Sequence, residues 1–186
     1  MKIRGIIIPL LAGLLMSFTL TAQEYSIDNN LSNVYINGTS SLHDWTETVE
    51  VINGALRADI KDGKLEKVRS LHLTIPVKSI KSGRSGMDKN TYAALKEDKY
   101  PEIKYVLKTY IIEGESVKLT GDLTIAGVTK SVTVTSSGNV HDDKVELTGD
   151  LTFKMSKFGI EPPTAVMGTI KTGDEVTIKF HIYFKQ

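Results

Sequence analysis

The chain contains no cysteine. It can form no disulfide, it offers no thiolate as nucleophile or metal ligand, and it has no residue for a lipidated N-terminal anchor. An excess of charge is also missing. Lys and Arg total 23 against 22 Asp and Glu, for a net charge of +1, so nothing electrostatic favours nucleic acid. Tryptophan occurs once, at Trp45. Helical patterning is confined to one segment. What remains is a chain of 186 residues, 40% hydrophobic and 24% charged, which is ordinary for one soluble domain with a sizeable core.

Gly5–Leu20 is apolar, follows Lys2 and Arg4, and exits through Thr21, Ala22 and Gln23. This is the pattern of a secretory signal peptide, too short and too broken by Pro9 and Gly13 to suit a membrane span. The expectation is a signal peptide over 1–22 and one domain over 23–186, located in the periplasm or secreted, with no stable membrane anchor. Removing Lys2 and Arg4 takes the charge from +1 to −1.

Leu119–Val134 sets the pattern for the rest. Leu119, Leu123 and Ile125 alternate with Thr120, Asp122 and Thr124, then Ala126-Gly127-Val128 interrupts and alternation resumes through Val132 and Val134. Period two marks a half-buried strand. The phrase Val117–Thr124 is echoed by Val145–Thr152, with Gly121 and Gly149 on the apolar phase of each copy. Glycine inside a strand marks a bulge, a bend or a close approach. Here it suggests a sheet closing on itself with its inner face thinned at two points.

Further strands are expected at Tyr25–Asn30, Ser32–Ser41, Trp45–Lys61 with a kink at Asn53-Gly54, Leu65–Lys78, Ile103–Ile112, Ser116–Ala126, Thr129–Val140, Lys144–Met155 and Glu175–Lys185. Asp62-Gly63 is a strong hairpin signal. The single helix is expected over Ser85–Asp98, capped by Ser85 with Asp88 three residues on. It ends before Pro101 and presents Met87, Tyr92 and Leu95 as a narrow apolar stripe. Ser156–Asp174 is a long connection, and its Ile160, Val166 and Met167 are too apolar to be left in water. Together these predict an all-β fold: a closed antiparallel lipocalin-like barrel of about eight strands, with one short helix across an opening.

Four segments resemble the YceI-like family, bacterial lipocalin-like barrels known as polyisoprenoid-binding proteins. They are Gly38–Trp45, Met87–Tyr105, Gly121–Val134 and Gly149–Phe180, and Gly121–Val134 (GDLTIAGVTKSVTV) is the most specific. The Pro162-Pro163 loop and His43-Asp44-Trp45 resemble a shorter branch common in Bacteroidetes-type bacteria. Better-known members carry Arg-Asp-x-His-Leu at the helix, where this chain reads Met87-Asp88-Lys89-Asn90. The resemblance implies an isoprenoid or fatty-acid-like lipid threaded through the barrel; separately, the residues point to no enzymatic activity and no cofactor.

The inward phase nominates Leu73, Ile75, Leu107, Leu119, Gly121, Leu123, Gly149, Leu151, Phe153, Phe180 and Ile182 as cavity lining. An apolar strand face suits a filled core as well, so the alternation alone does not choose. Trp45 follows a turn, where it could plug the core or touch a ligand. Met87, Tyr92 and Leu95 are the candidate lid. Lys81, Arg84 and Lys89, near the helix start, are the candidate contacts for an anionic head group. His43, His72, His141 and His181 are far apart and lack metal-binding spacing, so no metal is expected. Ser40, Ser41, His43 and Asp44 have triad residue types without triad context. A homodimer is the one assembly expected.

Overall fold

The computed structural model describes residues 23–165 and 167–186. The expected signal peptide and Val166 lie outside them. The alternating segments become strands β1 (Gln23–Ile27), β2 (Asn33–Ser40), β3 (Trp45–Val49), β4 (Asn53–Lys61), β5 (Lys64–Pro76), β6 (Ile80–Lys81), β7 (Glu102–Glu113), β8 (Ser116–Ile125), β9 (Val128–His141), β10 (Lys144–Lys154), β11 (Thr164–Ala165) and β12 (Ile170–Lys185), with helix α1 (Ser85–Ala94) between β6 and β7. The expected class holds: eight antiparallel strands close a ring in the order β1-β4-β5-β7-β8-β9-β10-β12 and back to β1.

The 16 residues of β12 make the closure possible. Its C-terminal end pairs with β1 through Ser26↔Lys185 and Ile27↔Phe184. Further back, the same edge carries β2, from Asn33↔His181 to Ser40↔Thr172. β3 and β6 extend that flap over one end of the ring. Apolar side chains of both sheet halves meet inside. Leu56, Val117, Val145 and Phe184 are fully buried there, so the hydrophobic effect acts on the shared interior rather than on any one strand pair.

The ring has a seam. β9 and β10 pair from Lys144↔His141 to Asp150↔Thr135 and then part. A 3-10 turn, Met155–Phe158, follows β10 and drives Phe158 into the gap, where it is 1% exposed. Its ring meets Phe153 edge to face at 5.1 Å between centroids. That is a favoured aromatic geometry.

Three expectations need correction. Ser85 does not cap α1: Arg84 stands at the N-cap without a side-chain bond. Asp88 instead reaches past it to accept from the Ser82 N–H at 2.8 Å and the Ser82 hydroxyl at 2.6 Å, which tethers the incoming chain to the first helical turn. The long connection after β10 is partly ordered, because β11 pairs with the start of β12 through Thr164↔Lys171 and Ala165↔Ile170. That hairpin carries Met167 at its tip, fully exposed, while Ile160 is buried. At φ +51° Met167 sits in the turn itself, at the open end of the ring, where no strand covers it.

Candidate cavity site

One end of the ring is ringed by the β2–β3 turn, α1 and the β10–β12 connection. Between them lies a chamber of about 680 Å³, within the range of sites that bury small ligands. Ile36, Ile80, Ile103, Ile125, Phe153 and Ile178 form its apolar wall. A second, narrower chamber of about 120 Å³ lies further inside. Ile103 and Ile178 line both, so the two meet there.

The expected lining residues divide. Leu73, Ile75, Leu119, Leu123, Leu151, Phe180 and Ile182 line the inner chamber. Phe153 and Trp45 line the outer one. The Trp45 indole covers Gly38 and donates to the Thr39 carbonyl at 2.9 Å, so its N–H has a backbone partner. Leu107 packs against the core beside a bulge between Leu107 and Thr109 and reaches neither chamber.

Gly121 and Gly149 are corrected. They do not widen the interior, because aromatic side chains already fill the space. A Cβ at Gly121 would lie 2.5 Å from the Val106 carbonyl oxygen and 2.7 Å from Tyr105 Cζ. One at Gly149 would lie 2.6 Å from the Thr135 carbonyl oxygen and 2.9 Å from Phe180 Cζ. The glycines are close-approach sites that let Tyr105 and Phe180 lie against the sheet.

The lid is also reassigned. Met87 and Ala94 of α1 and Leu95 at its C-cap line the outer chamber, with Asn90 and Thr91 beside them. Tyr92 does not line it. Its hydroxyl donates to the Ile80 carbonyl at 3.0 Å and accepts from Lys81 Nζ at 2.8 Å, so Tyr92 pins α1 to β6. That bond and the neighbouring charges raise the Lys81 pKa. Lys81, Arg84 and Lys89 line neither chamber, and the candidate head-group cations therefore stand outside the cavity.

Two polar side chains inside were not anticipated. Glu47 lines the outer chamber and is 2% exposed. It shares the inward phase of β3 with Trp45 and Val49, a signal present in the sequence. The Thr91 hydroxyl donates to Glu47 Oε1 at 2.6 Å. Burial pushes the Glu47 carboxyl above its usual range; the Thr91 bond opposes this and the nearby Asp88 charge adds to it. Deeper in, the Tyr105 hydroxyl is buried with no hydrogen-bond partner among the described residues, and burial pushes it up to about 12. On the outer wall, His181 Nε2 lies 2.8 Å and His141 Nε2 3.2 Å from the two oxygens of Glu146. This convergence is invisible in the spacing.

Among solved structures, BcnA of Burkholderia cenocepacia superposes with a TM-score of 0.71 at 21% identity, covering 84% of this chain and 98% of that one. A polyisoprenoid binding domain from Saccharophagus degradans, implicated in plant cell wall breakdown, superposes with a TM-score of 0.64 at 14% identity, covering 87% and 97%. These establish the shared fold. Protein YceI of Shigella flexneri is 30% identical over 121 residues, 61% of this chain and 60% of the relative; the Escherichia coli O157:H7 protein matches to the same extent. The chain thus spans about 60% of the length of the curated relatives it matches. The YceI-like domain pattern covers residues 25–184, nearly all of the described chain, and the protein belongs to the YceI-like family.

Proposed function

We propose that this protein is an exported binding protein that holds one long apolar molecule, an isoprenoid or another lipid, inside its ring of strands for transport, storage or protection. The observation that carries this reading is the pair of chambers meeting at Ile103 and Ile178, one wide and one narrow, with α1 across the wide end. A wide mouth that narrows into an apolar slot suits a chain with a larger head. The family membership and the polyisoprenoid binding domain of Saccharophagus degradans support the same class of ligand. Export rests on the Gly5–Leu20 run and its small-residue exit. Among the described residues no helix is long and apolar enough to cross a membrane.

Catalysis has little support. The buried ionisable groups in the cavity are Glu47, held by Thr91, and the unpartnered phenol of Tyr105, and neither has the partnered nucleophile or base that covalent chemistry needs. The test is organic extraction of protein purified without detergent. A single long-chain molecule per protein is expected. Protein that yields no lipid, and takes none up from a total lipid extract, would defeat the reading.

A further inference from the structure

Among the described residues, no lysine and no arginine lines the outer chamber. Its titratable side chains are Glu47 and His43, and His43 stands exposed at the rim with Nδ1 2.7 Å from the Asp44 carbonyl oxygen. Glu47 is buried on a wall otherwise dominated by apolar side chains. Thr91 fills one carboxylate oxygen, and no described residue donates to the other, Oε2. Oε2 is not among the fully buried unpartnered atoms, so it faces the open chamber and can accept from a donor that enters. The charge that acts on Glu47 is that of Asp88, also an acid.

This wall is the wrong chemistry for an anion. A carboxylate or phosphate brought to it would be desolvated beside Glu47 with no cation to meet it. Arg84 at the start of the lid and Lys89 within it line no part of the chamber, and the Lys81 ammonium is held by Tyr92. A hydroxyl or ammonium is the right chemistry, because each can donate to the open oxygen. Bonds that involve a charged partner are the stronger ones.

We propose that Glu47 selects the head group of the ligand: a long-chain alcohol or amine donates a hydrogen bond to the Glu47 oxygen that Thr91 leaves open, and long-chain carboxylates and phosphates are rejected. This rests on the reading of the protein as a lipid-holding ring. The tail takes the inner chamber lined by Leu123 and Ile182, and the head stops at the level of β3 under α1. The geometry thereby reverses the expectation from Lys81, Arg84 and Lys89, which pointed to an anionic head.

The test is displacement of a cavity-bound apolar fluorophore from the full-length chain at pH 8. The competitors are dodecylamine, dodecanol, dodecanoate and dodecyl phosphate, each below its micelle concentration. The amine and the alcohol should bind about tenfold or more tighter than the two anions, the scale of one hydrogen bond to a charged group. The tighter of the two names the head class. In Glu47→Gln the gap should close to about threefold, with the anions gaining. The wild-type ranking carries the test even if that variant folds poorly. Equal binding of all four, or tighter binding of an anion, overturns the head-group inference and leaves the lipid-holding reading intact. Binding by none of the four overturns both.

Discussion

Tyr105 and Gly121 share one site across the β7–β8 pair: the ring tip of Tyr105 lies where a side chain at 121 would begin, 2.7 Å from an ideal Cβ. The backbone at Gly121 is ordinary strand, so the obstacle is contact rather than strain. Gly121→Ala should therefore destabilise by about 1–3 kcal/mol through overpacking, and Gly121→Leu by more. Urea unfolding measures both. A neutral Gly121→Leu would mean the interior is roomier than described.

The same tyrosine makes an alkaline prediction. Its hydroxyl is buried without a partner, and burial raises its pKa to about 12 from 10.0. A raised acid pKa means that the folded state holds the proton more tightly than the unfolded one. This stabilising contribution is complete below pH 10 and lost between about 10 and 12. Tyr105→Phe should lack that loss. It should also be as stable as wild type or more so near neutrality, because it removes an unsatisfied donor. Thermal unfolding of both proteins from pH 7 to 11 checks the pair of effects.

Glu47 gives the acid-side counterpart. Its pKa is raised, chiefly by burial, so the ligand-free fold is penalised once the pH is high enough to ionise it. Stability should fall as pH rises from the ordinary carboxylate range through the elevated folded value. Glu47→Gln should then be more stable than wild type at pH 8 and lose that advantage at pH 4. A variant less stable at both values would show that the carboxylate is structural rather than poised for a ligand.

Tyr92 should control the lid. Its hydroxyl joins Ile80 and Lys81 to α1, and no side chain of α1 is fully buried. The helix is therefore held down by polar bonds, this anchor together with Thr91–Glu47 and Asp88–Ser82, rather than by a buried face. Tyr92→Phe should loosen α1 by about 1 kcal/mol. Amide exchange over Ser85–Ala94 should speed by about fivefold while β8 and β12 stay unchanged. Unaltered exchange in α1 would remove Tyr92 as the anchor.

Asp59 has a fully buried side chain, paired with Arg69 through bonds of 2.9 and 2.7 Å. The Arg69 guanidinium bonds hold the Asp59 carboxyl below the usual carboxylate range. A depressed acid stabilises the fold above its unfolded pKa, and that stability is lost as pH falls through the folded value. Arg69→Met should be destabilised at pH 7 and show a shallower decline on acidification than wild type. Identical acid limbs would contradict the pairing.

Much of the ring was legible because strand alternation is a local signal. The Val117–Thr124 and Val145–Thr152 repeat gave two walls directly, and β12 was readable from its clean Val176-to-Phe184 phase. The rest depended on partners distant in sequence. Asp59 is buried next to Ala58 because bulges between Arg57 and Ala58 and between Asp59 and Ile60 break the alternation, and no pattern in the sequence marks a bulge there. The inward glycines were visible, but Tyr105 and Phe180, which fill them, come from neighbouring strands. Glu47 was readable by phase from Trp45 and Val49. It was missed because an acid in a run of alternating threonines and glutamates looks like solvent-facing charge. The lid cations were misassigned because helix periodicity does not reveal that Tyr92 turns toward β6 while Met87 and Leu95 face the cavity.

The central claim is that an apolar chain passes from the outer chamber into the inner one. Methyl NMR of the protein titrated with a long-chain alcohol tests it most directly. The account predicts saturable shifts at Leu123, Leu147 and Ile182 of the inner chamber together with Met87 and Leu95 of the lid, all with one midpoint. Shifts confined to exposed residues such as Leu31 and Ile111, with the inner methyls unmoved at saturation, would contradict it.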